Sequence, residues 1–178
     1  MGWYWSMGIS FEEKILAEKC QERLFKLKLS DKREVKLDSH VTLQTDYYYT
    51  PHFVLEIFPE QMTIDGDRKN LEYPYFIEIK SQLLRFIKEL DLKLEIAFFE
   101  FEGADRITHE NIIKEINENG IGEIIENDIN HLFSDSKDYK PKRYLDGLIL
   151  SIEQYNLILN KIPEFKNFKD GYFWLPIN

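Results

Sequence analysis

Residues 73–101 read YPYFIEIKSQLLRFIKELDLKLEIAFFEF, and this segment carries the two strongest structural patterns in the chain. In its first part, apolar residues recur at helical spacing, and Pro74 suits the first turn of a helix. From Leu92 the period changes to two, and both faces become apolar towards Phe101, which is typical of a central strand. We therefore predict one long helix over 73–90 and a strand over 92–101. The alternative is a strand at 76–80 that leads into a helix beginning at Ser81.

The same patterns extend outward to both ends of the chain. Ser10 and Glu13 have the spacing of a capping box, which predicts a helix from Ser10 to about Lys28 with Cys20 on its apolar face. The other predicted elements are a strand or hairpin at 35–43, a strand at 53–58, helices at 109–119 and 124–132, a strand at 145–150, a helix at 152–162 and a strand at 171–175. We expect a single α+β domain over 1–178, with helices packed on a mixed or antiparallel sheet. Residues 1–9 are predicted to be an N-terminal arm.

Composition limits the class of protein. The chain has 178 residues, of which 43% are hydrophobic, so it can bury a substantial core. Cys20 is the only cysteine, which excludes an intramolecular disulfide. The N-terminus lacks the pattern of a secretory signal, and no run of about 18 apolar residues could span a membrane. These features predict a cytoplasmic protein that does not bind membranes.

Acidic residues are concentrated in one part of the chain. The net charge is −9, and residues 104–140 contribute −5 of it. The acidic side chains on the two predicted helices of this segment and just before them are Asp105, Glu110, Glu115, Glu118, Glu123, Glu126 and Asp128. Such a field repels phosphates and favours a basic protein partner, so we predict no nucleic-acid binding and assign these seven residues to a partner-binding surface. The alternative is a solvated helical face that only keeps the protein soluble.

The sequence contains no motif typical of a metal site, a cofactor site or a catalytic nucleophile. His40, His52, His109 and His131 lie in different predicted segments, and none has a partner at metal-ligand spacing. No glycine-rich phosphate loop and no serine or cysteine nucleophile signature is present. We therefore predict no metal and no cofactor, and we expect that the protein is not an enzyme.

One constellation suggests an enzyme nevertheless. Asp65 followed by Glu78-Ile79-Lys80 resembles the motif of the PD-(D/E)xK metal-dependent nucleases. The resemblance implies that Asp65 and Glu78 hold a divalent metal and that Lys80 stabilises charge on the phosphate. It requires residues 76–80 to form a strand.

A second resemblance concerns the C-terminal third. The segments YLDGLILSIEQYNLIL (144–159) and DGYFWLPIN (170–178), in a compact acidic chain, resemble bacterial immunity proteins of contact-dependent inhibition. Members of that family bind a toxin domain, often a basic nuclease, and block it. The resemblance assigns no individual residue.

The leading hypothesis is thus a cytosolic protein that neutralises a toxin domain by occluding it, with a nuclease as the alternative. A third class is a structural subunit of a larger assembly. Such a subunit should expose an apolar patch, for which Trp3, Trp5 and the tyrosines 47–49 are the candidates.

Overall fold

The structure is a computed structural model, and it describes residues 3–44, 52–60, 63–64, 73–101, 104, 107, 112–121 and 145–176. The strands are β1 (Trp3–Phe11), β2 (Leu27–Lys28), β3 (Glu34–Val35), β4 (Leu37–Gln44), β5 (His52–Pro59), β6 (Thr63–Ile64), β7 (Ile96–Phe101), β8 (Ile149–Ser151), β9 (Lys166–Lys169) and β10 (Tyr172–Trp174). The helices with described bounds are α1 (Lys14–Glu22), α2 (Tyr73–Glu89), α3 (Ile112–Asn119) and α4 (Ile152–Asn156).

Eight of the described strands form one sheet, in the order β4-β5-β1-β7-β8-β10-β9, with β6 paired to the start of β1. Every pair in this sheet is antiparallel. The short strands β2 and β3 form a separate hairpin. The α+β prediction is confirmed, and of the two predicted kinds of sheet the structure has the antiparallel one.

The N-terminal prediction was wrong. Residues 3–11 are not an arm but the central strand β1, which pairs with β5 on one side and β7 on the other. Ser10 lies in this strand opposite Val54 and therefore does not cap a helix. Helix α1 begins at Lys14, and its N-cap residue Glu13 makes no side-chain capping hydrogen bond. The alternation of Trp5, Met7 and Ile9 with small residues was the signal for a strand.

The long helix over 73–90 is confirmed as α2 (Tyr73–Glu89). Its residues Ile79, Leu83 and Ile87 are buried, as the helical spacing predicted. The predicted end of the helix at Gly120 is also confirmed, because Gly120 has a φ of 74° and donates its N–H to the carbonyl of Ile116. The predicted helix over 124–132 lies outside the described residues, as does the start of the helix predicted over 109–119.

Other helix and strand boundaries differ from the predicted ones. Helix α1 ends at Glu22 rather than Lys28, because Leu27 and Lys28 pair with β3. The strand predicted from Leu92 begins at Ile96, and helix α4 ends at Asn156 instead of 162. Strand β9 was not predicted; it forms a hairpin with β10.

Two separate cores cover the two faces of the sheet. The first face carries Trp5, Met7, Ile9 and Phe11 of β1 and packs against α1 and α2. This core also buries Cys20, as predicted, and burial raises the pKa of its thiol to about 12. The second face carries Ser6, Gly8 and Ser10 of β1, and its core includes α3 and the segment that follows β8. The candidate site lies on this second face.

Candidate functional site

Small residues on β1 bring a helical segment close to the second face. Gly8 leaves no space for a side chain, since a Cβ there would lie 3.0 Å from Cδ1 of Ile107 and 3.1 Å from the Cα of Ala104. Ser6 Oγ accepts a hydrogen bond of 2.9 Å from the N–H of Ala104. Ser6 and Gly8 therefore fix the segment that contains Ala104 and Ile107 against the sheet.

A groove of about 760 Å³ opens beside this contact, between the second face, α3 and the residues after α4. Its apolar walls are Ile96, Ile107, Ile112, Ile113, Leu157 and Leu159. Polar residues line it as well, namely Ser10, Gln44, His52, Glu95, Asn117 and Gln154, and Glu12, Lys114 and Glu118 add charged groups. The groove has the volume of a ligand-binding cleft with apolar walls and a few polar groups.

Glu95 joins three of the other polar residues of the groove into one cluster. Its Oε2 accepts hydrogen bonds from Ser10 Oγ at 2.9 Å and from His52 Nδ1 at 2.5 Å. Its Oε1 accepts from Gln154 Nε2 at 3.3 Å. The residue is only 8% exposed, so these three donors compensate for the loss of water around the carboxylate.

The environment shifts both ionisable groups of this cluster. Burial by itself would raise the pKa of Glu95. The hydrogen bond and charge of His52, together with the hydrogen bonds from Ser10 and Gln154, hold that pKa below its ordinary value. The hydrogen bond to Glu95 raises the pKa of His52 above its ordinary value, against the effect of burial, and the charge of Glu12 adds to the increase. The pair is therefore stabilised in its ionised form.

Ser10, His52 and Glu95 are the residue types of a serine-hydrolase triad, but they are arranged differently. In a triad the imidazole lies between the hydroxyl and the carboxylate and takes the proton of the hydroxyl. Here Ser10 Oγ and His52 Nδ1 both donate to the same oxygen of Glu95. The contacts bind the three side chains together and do not activate Ser10 as a nucleophile.

The segment after α4 is fastened to α3 by one side chain. Asn117 donates from Nδ2 to the carbonyl of Leu157 at 3.1 Å, and its Oδ1 accepts from the N–H of Leu159 at 2.8 Å. We call residues 157–159 the leucine loop. Leu157 is 57% exposed and Leu159 is 80% exposed, so the backbone of the loop is held in place while both side chains face solvent.

Helix α4 positions both the loop and the Glu95 cluster. Ser151 caps it by accepting a hydrogen bond of 3.2 Å from the N–H of Gln154, as the sequence predicted. The side chain of the same Gln154 reaches Glu95. Tyr155 stacks on Phe173 of β10 with a centroid distance of 4.2 Å, which anchors this short helix to the sheet.

Two of the seven predicted partner-binding residues lie on a described element. Glu115 and Glu118 are on α3, and Glu118 lines the groove, where it pairs with Lys114 at 3.8 Å. The other five, Asp105, Glu110, Glu123, Glu126 and Asp128, lie outside the described residues.

The nuclease constellation does not have the required local structure. Glu78 and Lys80 lie on helix α2, whereas the motif needs a strand there, and Asp65 lies outside the described residues. Glu78 is hydrogen-bonded to Ser30 Oγ at 3.2 Å. Lys80 is buried elsewhere, where its Nζ donates to the carbonyl of Asp146 at 2.8 Å. These contacts give each side chain a structural role.

Trp5 was predicted to belong to the exposed apolar patch of a structural subunit. That prediction was wrong, because Trp5 is fully buried in the first core. The tyrosines 47–49 and the side chain of Trp3 are not among the described groups. Sequence reasoning missed Ser10, Glu95 and the leucine loop as site residues. Glu95 occupies an ordinary polar position of the alternating pattern, as Lys93 does, so the sequence did not distinguish it.

Comparison of the chain with known protein families, curated proteins and solved structures found no match. Within the described ranges, no helix has the length and apolar character needed to cross a membrane. In the same residues, no group of three or more His, Cys, Asp or Glu side chains is placed to hold a metal ion.

Proposed function

We propose that this chain is a cytoplasmic binding protein that neutralises a toxin domain by covering its active surface. The toxin domain we propose is a basic nuclease. The contact surface consists of the leucine loop, the exposed side of α3 and the mouth of the groove between them. Neutralisation by binding requires only a rigid, complementary surface, so no catalytic group is assigned.

The observation that carries this proposal is the pair of exposed leucines. Apolar side chains with this exposure are unfavourable in water unless a partner covers them, and clusters of them mark interaction sites. Asn117 fixes the loop on both sides of Ile158, so its backbone is already ordered before a partner arrives. A preordered loop loses less conformational entropy on binding, which strengthens the association.

Charge supports a basic partner. The chain carries a net charge of −9, and Glu12 and Glu118 lie beside the leucines on the groove. Long-range attraction to a cationic surface speeds encounter, and the apolar contacts then slow dissociation. A toxin that binds nucleic acid presents the required cationic surface.

The first experiment mixes the purified chain with a candidate toxin domain, chosen from the proteins encoded next to its gene, and measures association at low and high salt. We expect a one-to-one complex whose association rate falls as salt rises, together with rescue of growth when both are expressed. Absence of a complex with that domain would contradict the proposal. A complex that instead joins copies of this chain would favour the structural-subunit class.

The second experiment changes the surface. Burial of one leucine contributes about 1.5–3 kcal/mol, so replacing Leu157 and Leu159 together by Asp should weaken the complex at least ~100-fold. Ile15→Asp is the matched control, because Ile15 is 48% exposed but lies on α1, which packs on the first face. An equal effect of the control, or tight binding by the double variant, would exclude the leucine loop as the contact.

A further inference from the structure

The groove beside the leucine loop combines an apolar channel with a carboxylate, Glu12, that makes no hydrogen bond and no ion pair within the described part of the chain. Glu12 lines the groove, and among the described residues its carboxylate has neither a hydrogen bond nor an ion pair. By contrast, Glu95 is saturated by three donors, and Glu118 pairs with Lys114. Glu12 is thus the acidic group on this surface that is available to a ligand.

We propose that the groove receives a lysine or arginine side chain of the protein partner, with its methylene groups along the isoleucine walls and its charged head at Glu12. This inference rests on the proposed function for the source of the side chain. Ile96, Ile112 and Ile113 match an aliphatic stem, because Lys and Arg bury their stems on apolar surface while keeping the head near water or an anion.

The charges on the groove favour a cation over an anion. The carboxylates that line the groove are Glu12, Glu95 and Glu118, and the basic groups are Lys114 and His52. Lys93 is paired with Glu153 at 3.3 Å, and the charge of Glu12 is close enough to add to the increase that this pairing causes in the pKa of Lys93. Because Lys114 and Glu118 pair with each other, as do His52 and Glu95, the remaining charge is that of Glu12. A carboxylate ligand would therefore meet a net negative charge, whereas a guanidinium or ammonium group would neutralise it.

Protonation of His52 opposes the same ligand. His52 lines the groove, and besides the hydrogen bond to Glu95, the charge of Glu12 contributes to raising its pKa. A cation bound at Glu12 would therefore lie near a second positive charge whenever the imidazole is protonated. The other charged groups that line the groove are Glu95, directly before β7, and Lys114 and Glu118 on α3. We therefore expect affinity for the cation to increase as pH rises through the pKa of His52, and His52→Gln to remove most of this dependence.

The test uses a minimal probe with the whole chain, so that it does not depend on the toxin. Butylguanidinium is titrated into protein with labelled isoleucine methyl groups, and pentanoate, a carboxylate of similar length, serves as the ligand control. We expect saturable shifts at Ile96, Ile112 and Ile113 with a Kd on the order of millimolar for the cation, and none for pentanoate. Equal shifts with both probes would overturn the inference.

Matched variants locate the head group. Glu12→Gln should weaken butylguanidinium binding by about threefold or more, whereas Glu13→Gln, which removes the same charge one residue away outside the groove, should leave it unchanged. Identical behaviour of the two variants would remove Glu12 from the site. Binding of the toxin domain without binding of the probe would contradict this inference alone. Binding of the probe without binding of the toxin domain would contradict the proposed function alone.

Discussion

The two faces of the sheet are built from alternate residues of the same strands, yet they differ in chemistry. On β1 the first face carries Trp5, Met7, Ile9 and Phe11, whereas the second carries Ser6, Gly8 and Ser10. The first face packs on α1 and α2 as a continuous apolar core. The second combines an apolar core with the Glu95 cluster and leaves a groove. One face of a single antiparallel sheet can thus carry the apolar core that stabilises the fold, while the other face carries a binding groove.

The contrast has an energetic origin. Apolar side chains on the first face gain free energy in proportion to the area that they remove from water. A buried carboxylate such as Glu95 instead loses solvation, and its hydrogen bonds only compensate for that loss. Substitutions on the first face should therefore cost more stability than those on the second.

The largest effect is expected in the first core. Phe99 is fully buried there and lies opposite Met7 on β1. Phe99→Ala should lower the free energy of unfolding by about 3–5 kcal/mol, because it removes a large apolar contact and leaves a cavity. Urea denaturation measures this loss. The control Phe25→Ala, at an aromatic residue that is partly exposed, should cost about 1 kcal/mol or less; equal losses would mean that the first face is not the main source of stability.

An intermediate effect is expected at the close contact on the second face. Gly8→Ala places a methyl group 3.0–3.1 Å from Ile107 and from the backbone of Ala104, which should cost about 1–3 kcal/mol by overpacking. Ile107→Val in the same chain removes Cδ1, the nearest of the three contacting atoms, while Cβ of residue 107 stays 3.2 Å away, and it should recover part of that loss. If Gly8→Ala is neutral in thermal unfolding, the segment does not pack as closely as described.

The smallest of the three effects, and the only one that depends on pH, is expected at the Glu95 cluster. The carboxylate stabilises the fold above its ordinary pKa of 4.5, and this contribution is lost as pH falls through the lower pKa of the folded state. His52 contributes below its ordinary pKa of 6.5, and its contribution is lost as pH rises through its higher folded-state value. The pair therefore stabilises most between these two ordinary values.

Glu95→Gln keeps neutral hydrogen bonds in place of the charged ones and should accordingly cost about 0.5–1.5 kcal/mol near pH 5.5, and less at both extremes. The pKa of His52, measured by NMR, should fall towards its ordinary value in the same variant. Glu118→Gln, which removes an exposed acidic group from the same groove, should change neither quantity. A loss of stability that does not vary with pH would show that the charge of Glu95 is unimportant.

Local periodicity explains which elements could be predicted. Helix α2 and the end of the strand over 92–101 were predicted correctly because their apolar residues recur with an unambiguous period. The capping-box spacing at Ser10 was misleading, since the same serine suits a strand once β5 and β7 lie on either side of it. Short elements such as β9 depend on pairing with β10, and their own residues carry too weak a pattern.

The candidate site was less predictable than the fold. Ser10, His52 and Glu95 are separated by 85 residues at most and come from three different segments, so no spacing in the sequence connects them. The acidic segment 104–140 was identified from composition, and Glu118 on α3 does reach the groove. The exposure of Leu157 and Leu159 could not be inferred, because the predicted helix would have continued through them to residue 162.

The sequence by itself determined the α+β class, the long helix α2, the cap at Ser151 and the overall acidity, since each depends on neighbouring residues or on composition. Only the tertiary structure decided that β1 is central, that Ser10 and His52 meet at Glu95, and that the leucine loop is fixed on α3. The physical reason is that strand pairing and hydrogen bonds between distant side chains join residues by position in space, whereas periodicity and capping act within a few residues along the chain.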